Sequence, residues 1–244
     1  MTEKEHLPVL DVDREEINPR VLVCGDPARA KQVGQKLEQP REVSYNREYR
    51  LINGELSGSM VSVVSHGVGA AGAAVCFEEL IRGGGKEIIR IGTAGSLDRE
   101  IIDGDIVIAT GAIREDGVGE QLVALSFPAV SDHEVTRRLE DAVNKRKRKT
   151  HKGIILTVGA FYQELEELPG EYFSKTGAIA VEMEASILFI IASLNDVRAG
   201  GIFTIDGMAI DFQGDEYDPD REVVHEGINE SIGIALEALS PEHP

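Results

Sequence analysis

Cysteine is scarce in this 244-residue chain: Cys24 and Cys76 are the only two, and each sits in an apolar segment. That excludes a disulfide framework and a cysteine-ligated zinc site, and both thiols are expected to be reduced core groups. Long apolar runs are missing too, and none approaches the roughly 20 residues of a membrane span, so no membrane partner is expected. The opening stretch Met1-Thr2-Glu3-Lys4-Glu5-His6 is polar and lacks a signal-peptide core, from which a cytoplasmic location is expected. Positive charge is in deficit: 25 basic against 43 acidic residues give a net charge of −18. Such a surface repels a nucleic-acid backbone. It fits a salt-adapted host or a generic acidic cytosolic protein. Under either, a small anionic substrate needs a local arginine cluster to hold it. There is no internal repeat, low-complexity tract or interdomain linker. The 42% of apolar residues and the length suit one large α/β domain, or two small ones, with ample core.

The chain is organised around Glu87-Ile88-Ile89-Arg90-Ile91-Gly92-Thr93-Ala94-Gly95. The isoleucines predict a covered, parallel strand. Arg90 interrupts it, and a buried cation is costly unless an anion or a carboxylate meets it. Gly92 and Gly95 predict a tight turn that brings backbone N–H groups close to a ligand, with the Thr93 hydroxyl beside them. Ligands of α/β sheets bind at this end of the strands, so the stretch reads as an oxyanion site. The competing reading is an internal Arg90–carboxylate pair with glycines that only turn the chain.

In chain order, residues 1–18 read as an irregular arm and Val21 to Cys24 as a buried strand. Gly25-Asp26-Pro27 turns the chain into a helix from Ala28 to Leu37, capped by Asp26. Arg29 lies in its first turn, where the helix dipole favours an anion between the cation and the backbone N–H groups; a lone exposed arginine is the alternative. Residues 41–64 read as antiparallel strands with the hairpin turn at Asn53-Gly54. Ser65 to Gly72 opens a helix to Arg82 and brings backbone close to a ligand without matching a dinucleotide fingerprint. Gly83-Gly84-Gly85 ends that helix. Ile106 to Ala109 is a strand, residues 111–130 a loop, and Asp132 to Arg148 a helix. Its basic end, Lys145 to Lys149, reads as a solvated helix terminus rather than a nucleic-acid patch. Gly153 to Val158, Ala178 to Val181 and Arg198 to Thr204 are strands. Ala185 to Leu194 and Arg221 to Leu239 are helices, and residues 211–220 an acidic loop. Alternating elements predict an α/β fold with a mainly parallel sheet.

Four strand ends then carry chemistry: Gly25 with Arg29, Arg90 with Thr93, Glu182 to Glu184, and Asp206. Two offer arginines and two offer carboxylates. That suits one anionic and one polyhydroxyl partner, because a carboxylate accepts well from paired sugar hydroxyls. Singly, Glu184 can be a helix N-terminal acid and Asp206-Gly207 a turn.

With these residues in view, the chain resembles the nucleoside phosphorylase and nucleosidase superfamily, on the branch with uridine phosphorylase and hexameric purine nucleoside phosphorylase. The resemblance covers almost the whole chain. It rests on Gly25-Asp26-Pro27-Ala28-Arg29, Asn46-Arg47-Glu48-Tyr49, Arg90-Ile91-Gly92-Thr93-Ala94-Gly95, Phe127-Pro128-Ala129-Val130-Ser131-Asp132 and Val181-Glu182-Met183-Glu184-Ala185. It implies a single α/β domain over residues 1–244, with a mixed, mainly parallel, distorted central sheet flanked by helices. It further implies homodimers assembling into a hexamer with shared active sites. Gly25, Arg29, Arg90 and Thr93 are implied to hold phosphate, with Arg47 from a neighbouring subunit. His6, on the arm of that neighbour, is implied at the ribose 5′-hydroxyl, Met183 against the sugar, and Glu184 on its 2′- and 3′-hydroxyls. Phe161 is implied to stack on the base, with Gly95, Glu182 and Asp206 also on the base side. Arg90 and Asp206 are the implied catalytic pair.

The implied reaction is phosphate attack on C1′ of a nucleoside, giving free base and ribose 1-phosphate. Inorganic phosphate is the co-substrate, and no cofactor or metal is expected. In some relatives a serine near Glu48 helps bind a monovalent cation; Gly72 stands in its place here, and no such ion is assigned. Asp206 matches the purine enzymes, although Ile205 replaces their usual serine. Gln163 matches the glutamine of the glutamine–arginine pair that binds uracil in bacterial uridine phosphorylases. Glu164-Leu165-Glu166 follows it, however, with no arginine nearby. Phe127 to Asp132 is closest to uridine phosphorylases. Purine nucleosides are favoured and uridine is the alternative. A nucleosidase would not need Arg29, Arg47 and Arg90, and a non-catalytic binding protein would be expected to lose them or Glu184.

Overall fold

Strands buried on both faces form the middle of a ten-stranded mixed sheet. The computed structural model describes residues 5–146, 148–162, 170–210 and 220–240. In chain order the elements begin with β1 (His6–Leu7), β2 (Val12–Asp13), β3 (Arg20–Cys24), α1 (Pro27–Gly34), β4 (Glu38–Asn46), β5 (Tyr49–Leu56) and β6 (Ser59–Ser65). They continue with α2 (Ala70–Gly83), β7 (Glu87–Ser96), β8 (Ile106–Glu115), α3 (Gly119–Leu122), β9 (Ala129–Val130) and α4 (His133–Asn144). The last are β10 (Thr150–Val158), α5 (Gly170–Ser174), β11 (Ala180–Glu182), α6 (Ala185–Leu194), β12 (Arg198–Met208) and α7 (Glu222–Leu239).

The strand order is β11-β10-β8-β12-β7-β3-β6-β5-β4, and β11 returns to pair with β7. One side of the sheet therefore curls into a closed ring, which is the distortion the fold class anticipates. The four strands β6, β3, β7 and β12 run parallel, so their C-terminal ends share one edge. Side-chain alternation sorts β3 between two cores. Val21 and Val23 join Phe77, Leu80 and the α6 side chains on one face. Leu22 and Cys24 join Val33, Leu139 and the α7 side chains on the other. Helix α6 is apolar on all sides because it is buried on all sides. Among the described residues no helix is long and apolar enough to cross a membrane.

The structure corrects several sequence expectations. Asn53-Gly54 is not a turn but the middle of β5. Gly54 is there because a Cβ would stand 2.7 Å from the Leu37 Cβ, and Asn53 is buried, bonding the Glu16 carbonyl and Ser62. The turns fall instead at Arg47-Glu48 and Ser57-Gly58, where Arg47 (φ 56°) and Ser57 (φ 51°) take left-handed backbone. Residues 92–95 are likewise strand, not turn. Gly92 is required by close approach, since a Cβ would lie 2.9 Å from the Phe203 ring. The stretch 111–130 is not all loop: β8 runs to Glu115, and α3 and β9 follow.

Residues 5–18 are not an irregular arm either. β1 and β2 pair as a small sheet, and Leu7, Leu10, Val12 and Ile17 are buried. The buried Glu79 carboxylate accepts from the N–H groups of Val9 (3.0 Å) and Leu10 (2.8 Å), clipping the segment to α2. The basic run after α4 is not simply solvated. Lys145 and Arg146 pair with Glu237, and Arg148 with Glu226 and Glu230, all on α7. Gln163, Glu164 to Glu166 and most of the acidic 211–220 loop lie outside the described residues.

Candidate active site

The shared C-terminal edge opens into a cavity of about 520 Å³. Arg90 occupies its floor, on β7 between Ile89 and Ile91, and is 4% exposed. Its guanidinium is held on several sides. Nε and Nη2 donate to Glu182 Oε2 at 3.2 and 3.1 Å. Nη2 also donates to Glu184 Oε2, and Nη1 lies 2.9 Å from His66 Nε2. The Phe203 ring centroid is 5.3 Å from the guanidinium carbon. Burial works against the charge of Arg90, but the facing carboxylates Glu184 and Glu182 outweigh it and raise its pKa.

The two glutamates do different work. Glu182 is consumed by its own chain: Oε1 accepts from the Thr157 hydroxyl at 2.7 Å, and its oxygens accept from the N–H groups of Glu184 (2.8 Å) and Ala185 (2.9 Å). It thus satisfies backbone donors at the start of α6. Glu184 sits at the N-cap of α6, with Oε2 on Arg90 and Oε1 on the Gly69 N–H. Burial raises the pKa of this carboxyl, partly offset by Arg90. Held, among the described residues, by one arginine and one backbone N–H, this carboxylate can exchange those partners for hydroxyl donors.

Ten residues implied by the family resemblance line this one cavity. Gly25, Arg29, Arg90 and Thr93 lie with Met183, Glu184, Gly95, Phe161, Glu182 and Asp206. Asp26 fixes the entry of α1, accepting from the Ala28 N–H at 2.7 Å, and so sets where Arg29 stands. Asp206 is buried near the end of β12, at a bulge after Ile205. Its carbonyl accepts from Arg221 at 3.0 Å, and Arg221 also pairs with Asp103. Phe161 is 37% exposed at the mouth, its ring edge-on to Tyr162.

Two residues do not join them. His6 is exposed and pairs with Asp11 at 3.3 Å. Arg47 is exposed at the β4–β5 turn. Neither lines the cavity of its own chain. Sequence reasoning gave no role to His66, which is fully buried against Arg90. The available signal was its position, directly after a predicted strand at the same edge as Gly25. Gly67 and Val68, from the stretch expected to approach a ligand, do line the cavity. Cys24 is buried beneath the site, and burial pushes its thiol up to about 12, so it is no nucleophile.

Known proteins resemble this chain in sequence and in fold. Residues 19–240 match the family model described as the phosphorylase superfamily. The chain is 39% identical over 234 residues to a purine nucleoside phosphorylase of Plasmodium falciparum, covering 95% of this chain and 94% of that protein. It is 34% identical over 202 residues to a uridine phosphorylase of Treponema pallidum, covering 79% and 78%. Its fold is similar to the crystal structure of purine nucleoside phosphorylase from Toxoplasma gondii in complex with immucillin-H. The TM-score is 0.93 at 30% identity, covering 98% of this chain and 97% of that one.

Proposed function

The chain belongs to the phosphorylase superfamily, as an enzyme of the nucleoside phosphorylase (pentosyltransferase) kind, and we propose that its preferred substrates are purine nucleosides. Inorganic phosphate is the co-substrate, and the products are free purine and ribose 1-phosphate. One observation carries this reading: the buried Asp206 lines the same cavity as Arg90 and Glu184. A purine offers a ring nitrogen that an aspartic acid can protonate or hydrogen-bond as the base leaves; in uridine N1 is glycosylated and N3 carries a hydrogen, so only carbonyl oxygens are left to accept.

Gly25, Arg29, Arg90 and Thr93 hold and orient the phosphate oxygens. Glu184 exchanges Arg90 for the sugar hydroxyls. As the glycosidic bond breaks, positive charge grows on the sugar between the phosphate anion and the Glu184 carboxylate. The fixed arginine and dipoles make catalysis a matter of orientation and electrostatics rather than covalent attack by the protein. Asp206 gives its proton or hydrogen bond to the departing base. Met183 packs on the sugar and Phe161 on the base. A second copy of the chain supplies Arg47 and His6, within dimers that assemble to a hexamer. The setting is nucleoside salvage in the cytoplasm.

The reading is tested by base release from inosine, guanosine, adenosine and uridine, each with and without phosphate. Release from the purines, dependent on phosphate, is expected. D206N is expected to cut purine kcat by about 10²-fold while sparing any uridine turnover. Phosphate-dependent release from uridine alone defeats the purine assignment, and release without phosphate makes the protein a nucleosidase.

A further inference from the structure

We infer that His66 is a positioning residue for Arg90, a neutral acceptor that fixes the rotation of the guanidinium and so aims its free N–H groups at the phosphate anion. This rests on the phosphate role of Arg90 given above.

A guanidinium has five N–H groups. Glu182 takes Nε–H and one on Nη2, Glu184 takes the other on Nη2, and His66 Nε2 lies 2.9 Å from Nη1. One Nη1 hydrogen is left over. When Glu184 turns to the sugar, an Nη2 hydrogen joins it, giving the two-pronged donor that suits a phosphate edge. Glu182 grips only the Nε–Nη2 side. His66 is what holds the Nη1 side.

The ring is placed from the frame of the anion site. The backbone N–H of His66 donates to the Cys24 carbonyl at 2.9 Å, and the backbone N–H of Gly67 donates to the Gly25 carbonyl at 3.0 Å. The imidazole Cε1 lies 4.0 Å from where a Gly25 Cβ would stand. Phe77 closes the other side, edge to face at 5.3 Å. His66 therefore ties the arginine to the loop that carries Gly25.

The charge state fits the same role. Burial and the neighbouring Arg90 hold the imidazole pKa well below its ordinary value, so the ring is neutral and Nε2 accepts. The proton is then on Nδ1, which is buried and, among the described residues, meets no acceptor at good hydrogen-bond geometry. Packing alone does not call for such an orphan, because a leucine would fill the slot without one. A carboxylate at this position would also accept, but it would add a third negative charge beside Glu182 and Glu184 and oppose the anion. The imidazole supplies the acceptor without the charge.

The test pairs H66L, which keeps the volume and removes the acceptor, with H66Q, whose amide oxygen can accept from Arg90. H66L is expected to raise the phosphate KM by about tenfold or more, with the nucleoside KM within about twofold. H66Q is expected to stay within about threefold of the wild type on phosphate. An unchanged phosphate KM in H66L overturns the inference. In the unmodified protein, imidazole ¹⁵N NMR, with the His66 signal identified by its loss in H66Q, should show a neutral Nδ1–H ring from about pH 5.5 to about pH 8. A protonated ring, or an Nε2–H tautomer, also overturns it. This second readout needs no turnover and can overturn the inference even should H66L fail to fold. A wild-type enzyme without phosphate-dependent activity would defeat the proposed function and leave the tautomer result standing on its own.

Discussion

At the start of β7, Glu87 is buried between two arginines, Arg138 of α4 at 2.6 Å and Arg198 of β12 at 2.9 Å. Three residues later on the same strand, Arg90 is buried between two carboxylates, Glu182 and Glu184, with His66 as a third, neutral partner. Both clusters offset the cost of burying a charge on an apolar strand. They differ in what faces them. The Glu87 cluster joins α4 to the sheet, and Glu87 lines no described cavity. The Arg90 cluster faces a cavity of about 520 Å³, and one of its carboxylates is held by exchangeable partners. A buried ion pair is thus not by itself a sign of function. The sign is a pair that opens on a cavity and can trade one member for a ligand.

The largest separation between the two ends is expected from R90A. It should reduce kcat/KM for phosphate on the order of 10³-fold or more while the protein still folds. Steady-state rates with phosphate varied, beside a thermal melt, measure both. Undiminished turnover would sink the phosphate assignment. E87Q is expected to do the opposite. Weakening a pair in which both arginines remain should cost about 3 kcal/mol of stability and leave the phosphate KM unchanged. Denaturant unfolding and the same kinetic assay check this, and a shift in phosphate KM would show that the closed end is coupled to the site.

The smallest effect belongs to a half-buried counterpart, Glu237 with Lys145 and Arg146. The hydrogen bond from Lys145, and then that from Arg146, holds the Glu237 carboxyl below its ordinary value. A depressed carboxyl adds stability above its unfolded pKa and loses it as pH falls through the folded one. E237Q should therefore cost at most about 0.5 kcal/mol near neutral pH, screened by salt, and nothing once the pH is well below the carboxylate range. Melts at the two pH values measure it. An equal loss at both would place the effect in packing instead of charge.

Much of this molecule is legible in its sequence because buried strands and apolar helices leave strong local patterns. The β3 and β7 runs and the whole of α6 are examples, as is the Asp26 cap, whose side chain accepts from a backbone N–H group. The misreadings arise where distant contacts override local chemistry. Asn53-Gly54 has the composition of a hairpin turn, but Leu37 needs the missing side chain and Glu16 needs the amide. Gly92 looks like a turn residue for the same reason, whereas the Phe203 ring requires it. The N-terminal segment is polar enough to read as a free arm, and what pins it is distant in sequence: the Glu79 carboxylate, about 70 residues away, and the Asn46 and Asn53 amides on the Val9 and Glu16 carbonyls. At the site, the arginines and acids declared themselves as charges out of place at strand ends. His66 did not, because a single histidine after a strand carries no pattern until Arg90 is seen against it.

In the proposed function, the open cluster at Arg90 positions phosphate as the attacking group. Following inosine turnover by ³¹P NMR in phosphate buffer tests this most directly. One ribose 1-phosphate should form, and one inorganic phosphate disappear, for every hypoxanthine released. Hypoxanthine release with free ribose and unchanged phosphate would make water, not phosphate, the attacking group.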